Sequence, residues 1–370
     1  MIERDVEFGA SVTFDGVSKT YGAVKALSDF NLSIQRGEFV TLLGPSGSGK
    51  TTALNVLAGF VDATEGDVRV NKNSILGLPP ERRNIGMVFQ NYSLFPHMNV
   101  FENVAFPLRL RKVAQDEVKR RVGESLAMVQ LNDFGDRMPN QLSGGQRQRV
   151  AFARAIVFEP SVLLMDEPLG ALDLKLREAM QLEIKRYHKQ LGCTILFVTH
   201  DQGEALALSD RIAVMGEGRI VQIDTPDRIY DEPNSKYVAD FIGTTNIVDF
   251  ERGPSSIIRF PALNAEFELQ ENDKSWGQGQ NSISLRPEKL HRDISPSDHV
   301  IIFDASVEEY LFLGNIIQYS VRTTTGKTLL FQEHRGPSVP ILARGESLKL
   351  AFSINDARPL DEGTHGSGHT

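Results

Sequence analysis

The sequence predicts an α/β P-loop fold carrying a helical subdomain, followed by a small all-β, OB-like domain. Three observations predict it. First, the apolar run Phe39-Val40-Thr41-Leu42-Leu43 leads into the loop Gly44-Pro45-Ser46-Gly47-Ser48-Gly49-Lys50-Thr51 and then into a helical pattern from Thr51 to Ala58. Second, strand-like and helix-like segments alternate from 161 to 225. Third, the texture after about 245 turns to short alternating strands separated by Gly, Asn, Pro and Asp. A chain of 370 residues also exceeds one ordinary domain. The expected layout is a nucleotide-binding domain over 11–243, with its helical subdomain over about 91–160. A β domain over 244–355 and a disordered tail over 356–370 follow. Residues 1 to about 10 read as a loose leader to the fold.

The first loop matches G-x-x-x-x-G-K-[ST] in full, between a strand and a helix, which is the context the motif needs. Its glycines let backbone N–H groups turn toward anionic oxygens, and the helix N-terminus adds partial positive charge. Lys50 is expected at the β- and γ-phosphates and the Thr51 hydroxyl at Mg²⁺. Gly44 to Thr51, with Thr52 beyond, form the expected nucleotide cradle.

From 91 to 160 the pattern is helical. Gln115 to Met128 is amphipathic and charged. Tyr92-Ser93-Leu94-Phe95-Pro96-His97 and Phe101-Glu102-Asn103-Val104 supply apolar residues. Two readings of these stand: a subdomain core, or a groove that receives a helix of another chain. Ser143-Gly144-Gly145 precedes a helical pattern starting near Gln146. Ser143 has the chemistry of an N-cap, and paired glycines allow close approach of a phosphate.

The run Ser161-Val162-Leu163-Leu164-Met165 ends in Asp166-Glu167-Pro168. It reads as a buried strand whose C-terminal edge, where α/β sheets place ligands, carries two carboxylates. Asp166 is expected to serve Mg²⁺, directly or through water. Glu167, one residue further along an extended chain, is expected to point the other way. It is read as a general base or as the group that orients the attacking water. Thr194-Ile195-Leu196-Phe197-Val198-Thr199 is another buried-strand pattern, and it delivers His200 to the same edge.

In this order the motifs resemble those of the nucleotide-binding subunits of ABC transporters, over about the first 240 residues. The resemblance implies an ATPase using ATP and Mg²⁺. Tyr21 is similar to the aromatic that stacks on adenine. Gln90 is similar to the glutamine that senses Mg²⁺ and water, and Leu142-Ser143-Gly144-Gly145-Gln146 to the signature. Leu169-Gly170-Ala171-Leu172-Asp173 resembles the D-loop, with Gly170 where serine is more usual, and His200 the switch histidine. Ser143, Gly144, Gly145, Gln146 and Asp173 would then contact the nucleotide of a second copy.

Leu285-Arg286-Pro287-Glu288-Lys289-Leu290 and Tyr310-Leu311-Phe312-Leu313-Gly314-Asn315 resemble the TOBE-type domain of importer ATPases. The implied partners are a second copy, two transmembrane permease subunits and, indirectly, an extracytoplasmic solute-binding protein. The implied place is the cytoplasmic face of the inner membrane. Phe241-Ile242-Gly243-Thr244-Thr245-Asn246-Ile247 resembles spermidine/putrescine import subunits. Iron(III), sulfate and sugar importers share the remaining features, so the solute stays open.

Composition narrows the classes further. A net charge of −8 argues against general nucleic-acid binding. A DNA-repair or chromosome ATPase with the same head would carry a long coiled coil between Gln90 and Ser143, and no sustained heptads occur there. An inactive regulatory module is a third class, and intact Glu167 and His200 argue against it. No apolar stretch approaches the ~20 residues needed to cross a bilayer. The N-terminus is charged, without the apolar core of a signal peptide. The single Cys193 excludes an internal disulfide and is read as structural or incidental. His365 and His369 are isolated and are not read as metal ligands.

Overall fold

A computed structural model describes residues 9–170, 172–254, 256–269, 276, 279–292, 299–336 and 339–361. The chain divides into two compact units, Met1–Pro226 and Asp227–Thr370.

The first unit opens with strands β1 (Val12–Tyr21) and β2 (Val24–Ile34), then β3 (Phe39–Leu43). Helix α1 (Lys50–Ala58) follows the P-loop and leads to β4 (Glu65–Val70), β5 (Asn73–Ser74) and β6 (Ile85–Val88). Three helices come next: α2 (Val100–Leu110), α3 (Gln115–Met128) and α4 (Gly144–Ile156). The unit continues with β7 (Val162–Asp166), α5 (Leu174–Leu191), β8 (Thr194–Thr199) and α6 (Gln202–Leu208). It closes with β9 (Arg211–Gly216) and β10 (Arg219–Asp224).

Two sheets organise this unit. An antiparallel sheet runs β2-β1-β4-β5, and a six-stranded sheet runs β10-β9-β3-β8-β7-β6. All but β10 of the second sheet are parallel. Strands β3 and β8 are buried along their whole length, as expected when both faces are covered. One core packs α1 between the two sheets' apolar faces, through Leu54, Leu57, Phe14, Phe30 and Leu42. A second gathers α2 to α5 on Val104, Val122, Phe152 and Tyr187.

The second unit starts with short helices α7 (Pro226–Asp231) and α8 (Lys236–Phe241). Strands β11 (Asn246–Asp249), β12 (Glu251–Arg252), β13 (Ile257–Phe260), β14 (Ala265–Glu268) and β15 (Ser282–Leu285) come next. The last are β16 (Val300–Phe312), β17 (Ile316–Thr323), β18 (Thr328–His334), β19 (Ser347–Ser353) and β20 (Arg358–Leu360). They form sheets β11-β15-β20, β12-β13-β14 and β18-β17-β16-β19. Their shared core is aromatic, with Phe250, Phe260, Trp276, Tyr319, Phe331 and Phe352.

Three sequence expectations need correction. The unit boundary falls at Pro226 rather than 243, because buried Arg286 holds the connecting segment to the β unit. Its guanidinium donates to the carbonyls of Ile242 (2.5 Å), Thr244 (3.2 Å) and Tyr230 (2.7 Å) and lies 4.2 Å over the Tyr230 ring. The polar stretch from 356 is not all tail, since β20 pairs with β15 through Ser282↔Leu360 and Leu360 is fully buried. The expectation for 362–370, including His365 and His369, lies outside the described residues. At the other end Ala10 already belongs to the fold. It is buried, donates to Ser161 O at 3.2 Å and accepts from Thr194 Oγ1 at 2.6 Å.

Candidate active site

Strands β3, β8, β7 and β6 are neighbours and run parallel. Their ends are level: Leu43 pairs with Thr199, Val198 with Asp166, and Met165 with Val88. The P-loop, His200, Asp166-Glu167 and Gln90 each follow one of these ends. Sheet register therefore gathers four separate motifs at one edge.

The P-loop is shaped by close backbone approach. A Cβ on Gly44 would meet Met215 O at 2.6 Å and Ser48 Oγ at 2.7 Å, so only glycine fits. Gly49 takes φ 101° as the N-cap of α1, with no capping side chain and no acid in the first turn. The N–H groups of that turn are thus left for an anion. Pro45, Ser46 and Gly47 are exposed, and Gly44, Ser48 and Lys50 are buried. The Lys50 ammonium donates to Gly44 O and Pro45 O, each at 2.8 Å, inside its own loop. Burial lowers its pKa, while the charges of Glu167 and Asp166 oppose the fall. Thr52 continues the same helical turn.

Asp166 ends β7 as expected, and its Oδ1 lies 3.4 Å from Thr51 Oγ1. Burial raises its pKa, and the Glu167 charge adds to the rise. Among the described residues no group of three or more His, Cys, Asp or Glu is placed to hold a metal. A hydroxyl beside one carboxylate, next to a phosphate cradle, suits Mg²⁺, which keeps waters and takes few protein oxygens.

Glu167 does not continue the strand. Its φ is +42°, a left-handed conformation costing a non-glycine residue roughly 1 kcal/mol. Its N–H donates to Val198 O at 2.9 Å. The chain turns here, so the expectation of an extended residue facing away from Asp166 is wrong in its reason. The turn brings the carboxylate between two other motifs. Gln90 Nε2 donates to Oε2 at 3.2 Å, and His200 Nδ1 lies 3.2 Å from Oε1. The His200 side chain is 61% exposed, open to a substrate. Gln90, expected also as a metal ligand, here turns its amide nitrogen toward Glu167, which leaves the amide oxygen for a metal.

The outer motifs sit as follows. Tyr21 ends β1, is 48% exposed and has Lys19 Nζ 5.1 Å over its ring. It pairs with Val24 in a hairpin whose Ala26 carbonyl abuts Gly49. The signature helix starts at Gly144, two residues before the sequence suggests. Ser143 and Gln146 form a reciprocal capping box, with Gln146 N to Ser143 Oγ at 3.3 Å and Ser143 N to Gln146 Oε1 at 3.0 Å. Gly145 is buried, and a Cβ there would press on Leu176 Cδ1 at 3.0 Å. Asp173 caps α5 by accepting from Leu176 N at 3.0 Å.

Sequence reasoning missed one anchor of the site. Arg154 on α4 is buried and donates to Tyr92 O and Ser93 O, each at 2.8 Å. Those two residues have φ of +58° and +44° and directly follow the Gln90 loop. One guanidinium therefore pins that turn to the helix that Ser143 caps.

The arrangement recurs in known proteins. Residues 27–170 match the ABC transporter family, and 283–360 match the TOBE domain. The spermidine/putrescine import ATP-binding protein PotA of Thermobifida fusca is 44% identical over 92% of this chain and 91% of its own. The chain belongs to the ATP-binding subunits of ABC transporters. The protein of the same name from Rubrobacter xylanophilus is 46% identical, over 94% of this chain and 92% of its own. A dimeric ATP-binding cassette, solved in a post-hydrolysis state with ADP and Pi, superposes with TM-score 0.53. It is 37% identical and covers 58% of this chain and 98% of its own. As an ABC ATPase the chain hydrolyses ATP to drive transport. Among the described residues no helix is long and apolar enough to cross a membrane.

Proposed function

We propose that this ABC ATPase powers polyamine import, taking up spermidine and putrescine. The observation that carries the reading is identity of 44% and 46% to the two import subunits, across both units of the chain. The chain works as a homodimer under two permease subunits at the cytoplasmic face of the inner membrane. Each Lys50 loop faces the Ser143 loop of the other copy across one ATP, and Tyr21 stacks on adenine.

Thr51 and Asp166, with Gln90, would hold Mg²⁺, which when bound neutralises phosphate charge. Lys50 leaves its own loop carbonyls for the phosphates. Glu167, held from two sides by Gln90 and His200, orients the attacking water and takes its proton. The contact between Gln90 and Glu167 makes this proton transfer sensitive to the position of the Gln90 loop.

The permease docks beside that loop. Phe95, Phe106, Phe89 and Phe158 line a surface cavity of about 320 Å³. Phe95 is half-buried, and its backbone is fixed by buried Asn103, which accepts from Phe95 N at 2.8 Å and donates to its carbonyl at 3.1 Å. The groove is mostly apolar, with Arg154 and Ser93 also in its lining, which suits an inserted helix.

Uptake of labelled spermidine and putrescine tests the reading, in cells lacking other polyamine importers and carrying either this chain or Glu167→Gln. Uptake only with the unaltered chain is expected. Equal uptake in both would leave the ATPase assignment standing and remove the polyamine one.

A further inference from the structure

A ring of contacts surrounds the catalytic carboxylate, and Arg177 closes it. From Glu167 the chain descends through hydrogen-bonded turns. Gly170 N donates to Glu167 O at 3.3 Å, and Leu172 N to Leu169 O at 3.1 Å. Arg177, on the first turns of α5, reaches back and donates from Nη2 to Leu172 O at 3.2 Å. Its Nη1 donates to Asp201 Oδ2 at 2.8 Å. Asp201 is bonded to His200 in sequence, and His200 Nδ1 returns to Glu167 Oε1 at 3.2 Å.

The far side of the ring is rigid. Asp201 caps α6 by accepting from Glu204 N at 3.0 Å, and its own N–H donates to Thr199 Oγ1 at 3.0 Å. That hydroxyl donates to the buried Glu204 carboxylate at 2.7 Å. Arg177 Nε points at the same carboxylate, 3.8 Å from Oε1. The guanidinium thus bridges two loops that are distant in sequence. One ends in Asp173, and the other carries His200.

We propose that Arg177 is a positioning residue that makes the 167–173 loop and the His200 loop move as one. Displacement of the first loop pulls Leu172 O, then the guanidinium, then Asp201, and so re-aims His200 at Glu167. A planar fork suits this task because its two Nη groups are fixed relative to each other, whereas a lysine ammonium is a single point. The inference concerns ATP turnover alone and does not depend on which solute is carried.

The test uses the full chain in its transport complex. Arg177→Met is expected to lower kcat about tenfold or more while KM for ATP stays within about threefold. Asp201→Asn keeps a capping side chain and is expected to cause a similar loss. If the ring carries the effect, the double variant is no slower than the slower single one. Arg177→Lys is expected to remain slow, because a point charge satisfies one loop only. Four results would each overturn the proposal: unchanged kcat in Arg177→Met, additive losses in the double variant, full rescue by lysine, or a loss matched by a fall in Tm with normal turnover per folded molecule.

Discussion

In the ATPase unit Glu167 and His200 keep few partners, whereas the β unit buries Arg286 among three carbonyls. His200 is exposed and Glu167 is held by two side chains. Arg286 is buried and grips three carbonyls of the connecting segment. Both units contain charged residues that look equally out of place in a sequence. Their depth separates them. Glu167 and His200, with hydrogen-bonding capacity unspent at a strand edge, are available for chemistry, and Arg286, with both its Nη groups on carbonyls inside the protein, holds architecture.

The sharpest challenge to this contrast is Glu167→Gln. Turnover is expected to fall about a hundredfold or more, with Tm unchanged and ATP still bound. A parallel drop in Tm, read by calorimetry, would place Glu167 with the architectural group. Arg286→Met is expected to act the opposite way. Three carbonyls lose their donor, and stability of the β unit falls by about 3 kcal/mol. ATP binding and KM are expected to hold, and a changed KM with intact stability would break the comparison. Cys193 sharpens it from the weak end. Burial pushes its thiol up to about 12, so the thiolate is scarce at neutral pH and increases only in strongly alkaline solution. Iodoacetamide labelling of the folded chain at pH 8 is expected to be about a thousandfold slower than for a free thiol, followed by mass spectrometry. Cys193→Ala should leave turnover untouched.

Contiguous chemistry was legible in the sequence, and long-range support was not. The P-loop, the apolar runs ending in Asp166 and Thr199, and the Ser143 cap are each written in a few neighbouring residues. Their convergence follows from parallel register once the strands are recognised. Arg154, by contrast, bonds to carbonyls 61 and 62 positions away, and Arg286 to one 56 positions away. A carbonyl partner carries no side-chain signature, so nothing in the residue types announces it. The left-handed turn at Glu167 was hidden for a related reason. Residue identity there fits an extended strand end, and only the tertiary bond to Val198 O fixes the turn. The unit boundary was misread because composition changes near 245, while the bonds that decide the boundary are made by Arg286.

The capping box at Ser143 has a consequence for the motor's cycle. Ser143 Oγ accepts from Gln146 N, and Gln146 Oε1 accepts from Ser143 N, so the hydroxyl keeps its own proton to donate. In the proposed dimer a partner's phosphate would accept that proton with both bonds of the box intact. An N-cap contributes about 1 kcal/mol to its helix, and that contribution would survive the anion's arrival. The box would thus hold the side chain ready before the phosphate comes and after it leaves, with no re-aiming in each cycle.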